Sequence, residues 1–245
     1  MSGQIAGRRR RLARNGCPMA FLHERVHAEM ESRIGQTGGW GDRALYIGFH
    51  GNAPPLPETG CRRLSLLEGD DMSGLAPGFD LAVVNLQLAW LEHGYWFELF
   101  RGLLRPGGRI CFSSLGPDTL VELDEAWRKV DTMPHVHPFV DMHHLGDALV
   151  RSGFHRTILD ADWMGVEYED VDLLMDDLRR EGFHNVSPGR RRALTGRGRL
   201  EDLRACFRGC SPVRMTFELI YGYAEVPEAA AAGVRVAPPS FHGGA

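Results

Sequence analysis

The stretch from Phe79 to Ser114 decides the fold of this chain. It opens with an apolar run that a polar residue closes, Asp80-Leu-Ala-Val-Val-Asn85, and it continues with a helical pattern. Next come Leu103-Leu-Arg-Pro-Gly-Gly108 and a second apolar run, Arg109-Ile-Cys-Phe-Ser-Ser114. This order predicts a strand, a helix, a Pro-Gly-Gly turn and a second strand, which together form the βαβ unit of a parallel sheet.

Two elements are expected before this unit. The first is an amphipathic helix that packs on the core and ends between Gln36 and Gly41, because apolar residues recur at helical spacing. They are Phe21, Leu22, Val26, Met30 and Ile34. The second is a strand, Ala44 to Gly48. Only fifteen residues separate Gly48 from the apolar run that begins at Leu64, and three of them are proline, so a crossover helix has little room.

The second half of the chain predicts two more helices and an antiparallel pair of strands. The first helix runs from Asp141 to Phe154, ends at Gly153, and buries Leu145, Leu149 and Val150. The second runs from Val171 to Arg180 and ends at Gly182. Runs rich in β-forming residues at Thr157–Tyr168 and Met215–Val226 predict the strand pair. The expected fold class is therefore α/β, with a mostly parallel sheet and an antiparallel strand near its C-terminal end.

Several uncommon segments follow Ser114 in a fixed order. They include Gly116-Pro-Asp-Thr-Leu-Val-Glu-Leu123 and Met133-Pro-His-Val-His-Pro-Phe139. With the βαβ unit, these segments resemble the class I S-adenosylmethionine (SAM) dependent methyltransferases. Within that family they resemble the malonyl-acyl-carrier-protein O-methyltransferase of biotin synthesis and its relative, the arginine hydroxylase of mitochondrial complex I assembly. The resemblance covers about Phe21 to Tyr223 and implies a Rossmann-like sheet. The short, proline-containing spacing between Gly48 and Leu64 indicates that the first half of this sheet is truncated.

The resemblance also implies a cofactor, SAM, and two sets of site residues. The cofactor contacts would be Gly48, Gly51, Glu68, Asp70 and Leu86. The substrate-facing, catalytic positions would be Asn85, Gln87, Trp90 and His135. The chain departs from the family pattern in the first motif. Tyr46 stands where an acidic residue is expected, and His50 and Asn52 stand where glycines are expected.

The segment from Asp131 to Asp141 is expected to form a substrate loop over the carboxyl edge of the sheet. A second interpretation of its polar residues is an iron site made by His135, His137 and Asp141, although the main interpretation includes no metal. Further along, the basic stretch Arg190 to Arg199 could bind the phosphate and acidic helices of an acyl carrier protein, or could simply be solvated.

Composition narrows the function classes. The net charge is only -4, so no nucleic-acid partner is expected. The five cysteines are scattered, and no apolar run is long enough for a bilayer, so the expected location is cytoplasmic, without membrane association. Three segments are expected: a flexible basic arm at 1–17, a methyltransferase-like domain at 18–226 and a disordered tail at 227–245.

Three functions remain open from the sequence. The first is methyl transfer to the malonyl carboxyl group on acyl carrier protein. The second is a non-catalytic relative that keeps the fold and the partner surface but has lost cofactor binding. The third is arginine hydroxylation by an assembly factor. The departures from the family pattern in the first motif favour the non-catalytic relative, whereas the family resemblance favours methyl transfer.

Overall fold

The structure, a computed structural model, describes residues 19–48, 56–57, 60–66, 69–70, 72, 74–190 and 192–228. The expected basic arm at 1–17 and most of the expected tail at 227–245 lie outside these residues, as do Gly51 and Glu68. Within the described ranges the chain forms one six-stranded sheet with six α-helices.

The strands and helices, each numbered in chain order, have the following bounds. The strands are β1 Ala44–Ile47, β2 Cys61–Leu64, β3 Phe79–Val84, β4 Leu104–Leu115, β5 His155–Tyr168 and β6 Val213–Glu225. The helices are α1 Ala20–Gln36, α2 His93–Leu103, α3 Val121–Val130, α4 Met142–Arg151, α5 Val171–Glu181 and α6 Arg197–Cys206. A short 3-10 helix, Gln87–Trp90, lies between β3 and α2.

The predicted central unit is confirmed. β3 and β4 are parallel neighbours, with Ala82 opposite Ile110 and Val84 opposite Phe112. The predicted Pro-Gly-Gly turn is wrong, because residues 106–108 lie inside β4. The pairing moves from Phe79–Leu104 to Leu81–Arg109, so the extra residues form a bulge in the strand. Gly107 has a φ of 72° there, a conformation that glycine adopts without strain.

The predicted helices are present, with two corrections to their buried faces. In α1, Leu22, Val26, Met30 and Ile34 are buried, but Phe21 is exposed. In α4, Leu145 and Leu149 are buried as predicted, whereas Val150 is 61% exposed. Each misplaced residue adjoins a buried one, and consecutive helix positions differ by about 100° around the axis, so the next residue turns toward solvent.

The predicted antiparallel pair is also confirmed. β6 pairs antiparallel with β5 along its length, from Tyr168–Val213 to His155–Glu225. It pairs antiparallel with β4 on its other side, so the sheet order is β2-β1-β3-β4-β6-β5. β1, β2, β3 and β4 are parallel, as the sequence predicts for this part.

The order of the strands fixes where a ligand site belongs. The chain passes from β1 to β2 on one side and then crosses to β3 on the other side of β1. The carboxyl ends of β1 and β3 therefore flank a topological switch point, where open α/β sheets bind ligands. Among the described residues, no helix has the length and apolar character that a membrane span requires.

Candidate functional site

The switch point forms a crevice, defined here by Tyr46, Gly48 and Asn85. Asn85 directly follows β3, and its backbone N–H donates to Ile47 O at 2.7 Å. Gly48 directly follows β1, and its N–H donates to Leu64 O at 3.0 Å. The ends of three strands are thus joined by backbone hydrogen bonds, which hold the crevice residues in fixed positions.

The side chain of Tyr46 fills this crevice. Its hydroxyl accepts a hydrogen bond from Asn85 Nδ2 at 3.2 Å, and the residue is 1% exposed. The ring lies against Gly48 so closely that an added β-carbon there would come within 2.5 Å of the Tyr46 ring and hydroxyl. Burial raises the pKa of Tyr46 to about 12. The phenol is therefore neutral at physiological pH and is held among protein groups.

Asn85 is the centre of a buried hydrogen-bond network. Its Oδ1 accepts from Ser113 Oγ at 2.9 Å, and Ser113 Oγ in turn accepts from Leu86 N at 2.9 Å. Asn85 is 3% exposed and Ser113 is fully buried. The network joins the carboxyl ends of β1, β3 and β4, so the amide of Asn85 acts as a cross-link between strands.

Gln87 makes the corresponding contacts toward β2. It is fully buried, its Nε2 donates to Ser65 Oγ at 2.9 Å, and its Oε1 accepts from Leu66 N at 2.9 Å. Asp70 accepts from Ser65 N at 2.8 Å, so this candidate cofactor residue holds the turn that follows β2. The structure therefore brings Gln87 and Asp70 to the same edge, joined through Ser65.

Leu86, between Asn85 and Gln87, has a left-handed backbone with a φ of 55°. A buried leucine in this region is strained by about 1 to 3 kcal/mol. Such strain persists only where the surroundings fix the chain, and it is concentrated at functional sites. The turn from β3 into the 3-10 helix is thus held in place by the hydrogen bonds around it.

SAM requires open space and free polar groups at this edge. The described residues of the crevice do not fit it in this conformation, because the Tyr46 ring occupies the space over Gly48. The amide of Asn85 is also engaged, by Tyr46 on one side and Ser113 on the other. No step of chemistry is therefore derived through the cofactor at this position.

A second feature, the aromatic cavity, has a volume of about 340 Å³. It lies among the 3-10 helix, α3, the loop that follows α3, α5, and the chain from there to α6. Its lining residues are Trp90, Leu120, Leu123, Trp127, His135, Val136, His137, Phe139, Met175, Leu178, Arg179, Phe183, His184, Asn185, Thr195 and Leu200. A cavity that is mostly apolar with a few polar groups is typical of small-molecule sites.

Trp90 lies in the wall of the aromatic cavity, five residues after Asn85 of the crevice. It is 4% exposed, and its ring lies 4.7 Å from that of Phe183 and 6.0 Å, edge-on, from that of Phe139. Trp90 ends the 3-10 helix that begins at Gln87, immediately beyond the crevice. The substrate-facing role of Trp90 stays a prediction, and its ring lies in the cavity wall.

His135 also lines the aromatic cavity, and its ring orientation is fixed on two sides. The imidazole stacks on Trp127, with ring centroids 3.8 Å apart and planes 6° apart. Its Nε2 contacts Asp131 Oδ1 at 2.9 Å, and Arg199 Nε lies 3.2 Å from Asp131 Oδ2. The expected substrate loop is thus attached to both α3 and α6 through His135 and Asp131.

The alternative iron site is not formed. Asp141 caps α4 instead, accepting hydrogen bonds from His143 N at 2.8 Å and His144 N at 3.0 Å. His135 is bound to Asp131, as described above. Across the part of the chain that the structure describes, no three His, Cys, Asp or Glu side chains are grouped as a metal would require.

The basic stretch borders the aromatic cavity. Thr195 and Leu200 line the cavity, and Arg197 is exposed between them at the start of α6. Arg192 is exposed just before them, and Arg191 lies outside the described residues. Positive charge is therefore presented beside an apolar opening.

Sequence reasoning missed several residues of both features. Ser65 and Ser113 complete the polar network, and Trp127 and Phe183 form cavity walls. Polar residues at the ends of predicted strands were the available signal for the serines. Trp127 and Phe183 gave no such signal, because an aromatic residue in or just after a helix usually indicates an ordinary core contact.

The chain is similar to curated methyltransferases over about two thirds of its length. It is 41% identical over 168 residues to the malonyl-[acyl-carrier protein] O-methyltransferase of Methylovorus sp., covering 67% of this chain and 55% of that protein. It is 38% identical over 185 residues to the protein of the same name from Laribacter hongkongensis, covering 71% and 62%. The chain thus spans less than two thirds of the length of these relatives. No family model matches it.

Solved structures show the same fold. The chain superposes with a TM-score of 0.50 on a candidate methyltransferase of Bacillus halodurans, at 10% identity, covering 82% of this chain and 99% of the other. It superposes with a TM-score of 0.51 on the YcgJ protein of Bacillus subtilis, at 10% identity, covering 83% and 100%. At such low identity the likeness establishes the fold alone.

Proposed function

We propose that the chain is a class I SAM-dependent methyltransferase that acts on malonyl-acyl carrier protein, methylating the malonyl carboxyl group as a step of biotin synthesis. The observation that carries the proposal is the aromatic cavity, whose wall includes Trp90 at the end of the 3-10 helix that follows the carboxyl end of β3, where this fold places its chemistry. The relatives named for this reaction, at 41% and 38% identity, supply the substrate class.

The acceptor chemistry suits the groups that line the cavity. A carboxylate is already ionised at neutral pH, so its oxygen needs no general base, and the protein only has to bind and orient it. Arg179 is the arginine in the cavity lining, and we assign it the role of binding the negatively charged malonyl carboxylate. Trp90 and His135 would then hold the acyl group between ring faces.

The basic stretch supplies the surface for the carrier protein. Its exposed arginines stand beside the cavity opening, through which an acyl chain on a prosthetic arm would enter. Arginine binds phosphate and carboxylate groups through paired donors. An acidic carrier protein with a phosphate on its arm would therefore meet positive charge where its acyl chain enters.

Reversing three of these charges is expected to weaken binding of malonyl-acyl carrier protein by about tenfold or more, because attraction becomes repulsion. The variant carries Arg192→Glu and Arg197→Glu at exposed positions and Arg190→Glu at a half-buried one, and binding is measured by calorimetric titration. Wild-type affinity should also fall as salt is raised, because exposed charges are screened.

The control for this prediction reverses three arginines elsewhere: Arg62, Arg151 and Arg156. Arg62 and Arg151 are exposed, and Arg156 contacts Glu225 at the edge of the sheet opposite to the crevice. The control should retain the affinity of the wild type. Equal affinity of both triple variants would show that the basic stretch does not bind the carrier protein and is simply solvated.

A second candidate function is binding of acyl carrier protein without methyl transfer. The observation that favours it is the contact between Tyr46 and Asn85, which closes the crevice. Arginine hydroxylation is the third function that the sequence leaves open, and we single out no observation in its favour. A methyl-transfer assay separates the first two functions.

A further inference from the structure

The crevice at the switch point contains a side chain of the chain itself. In open α/β sheets, the crevice outside the carboxyl ends of the strands is normally the place where a ligand binds. Here the Tyr46 ring lies over Gly48, the one described glycine that the family resemblance assigns to the cofactor. Its hydroxyl also accepts a hydrogen bond from the side-chain amide of Asn85 at 3.2 Å, so this donor is already engaged.

The surrounding network favours this arrangement. Asn85 can hold its donor toward Tyr46 because its acceptor is fixed by Ser113, which in turn bonds Leu86 N. Tyr46 is 1% exposed, so its ring also contributes apolar burial to the core. Moving the ring outward would break one hydrogen bond and expose an aromatic surface, so the closed arrangement is the more stable one.

We infer that Tyr46 is a built-in occupant of the crevice, which SAM or S-adenosylhomocysteine must displace in order to bind. The inference takes its ligand from the proposed function but goes beyond it, since it assigns one residue that sets cofactor affinity. When only a small fraction of a protein is in the state that can bind, its apparent affinity is the intrinsic affinity multiplied by that fraction. Removing the ring should therefore strengthen binding.

The test is calorimetric titration with S-adenosylhomocysteine of the wild type, Tyr46→Val and Tyr46→Phe. Valine suits a buried strand but leaves the crevice open, so Tyr46→Val should bind about tenfold or more tightly than the wild type. Tyr46→Phe keeps the ring, so its affinity should remain within about threefold of the wild type. Tyr221→Val is the matched control, because Tyr221 is an equally buried tyrosine that stacks under Arg33 of α1.

A second measurement uses the wild type alone, in case Tyr46→Val does not fold. Nitration of tyrosines by tetranitromethane, mapped by peptide mass spectrometry, should leave Tyr46 unmodified without ligand and should modify it when S-adenosylhomocysteine is present in excess. Low-micromolar binding by the wild type with Tyr46 still protected would overturn the inference. So would a folded Tyr46→Val that binds no more tightly. Carrier-protein binding, measured on the same samples, reports on the proposed function separately.

Discussion

Replacing Trp90 by alanine is expected to weaken binding of malonyl-acyl carrier protein and to lower the free energy of unfolding by about 3 to 5 kcal/mol. Trp90 is 4% exposed and packs on Phe183 and Phe139. Its loss removes an aromatic wall of the cavity. Affinity for the carrier protein should fall by about 30-fold or more, which calorimetric titration and urea unfolding would measure.

Trp96→Ala is the matched control for this variant. Trp96 lies on α2, packs on Phe100 with ring centroids 5.9 Å apart, and is not part of the cavity lining. It should lower stability without changing affinity for the carrier protein. A Trp90→Ala protein that is folded and binds the carrier as tightly as the wild type would show that the aromatic cavity does not contribute to carrier binding.

Replacing Asn85 by leucine is expected to lower the free energy of unfolding by about 2 to 4 kcal/mol. The substitution keeps the volume but removes the acceptor of the Ser113 hydroxyl and the donor to Tyr46. Buried polar groups that lose their partners retain the full desolvation penalty. Tyr46→Phe and Asn85→Leu should also be non-additive in a double-mutant cycle, since they break the same hydrogen bond.

Ser114→Ala provides the comparison for Asn85→Leu. Ser114 is 1% exposed at the same edge, yet its hydroxyl reaches only Leu115 O, at 3.5 Å. Its replacement should therefore change stability by about 1 kcal/mol or less. If Asn85→Leu were no more destabilising than Ser114→Ala, the crevice would not be held closed by the network described here.

The sequence predicted the central sheet because each strand there is a short apolar run with a clear boundary. Asn85 and Ser114 marked the strand ends, and the paired strands lie where those runs do. The position of Pro106 and Gly107 could not be predicted in this way. Whether such residues form a turn or a bulge depends on the register with Phe79 and Leu81, which the sequence of one strand does not contain.

The sequence indicates where the candidate residues lie along the strands, but not how their side chains are arranged. Asn85, Gln87 and Asp70 do meet at one edge, as strand ends in a parallel sheet must. The alternation of a strand shows which side a residue such as Tyr46 faces, but not that its ring folds over Gly48. The cavity was harder still to predict from sequence, since Trp127 of α3 and Phe183, which follows α5, come to line one cavity only through tertiary packing.

The most direct test of the proposed function is methyl transfer to malonyl-acyl carrier protein, followed by mass spectrometry of the intact carrier. The wild type and Tyr46→Val are incubated with SAM and the malonyl carrier, with the succinyl carrier as a comparison substrate. We expect the wild type to add one methyl group to the malonyl carrier, and Tyr46→Val to add it faster at limiting SAM. Carrier binding by both proteins without methyl addition at saturating SAM would contradict it.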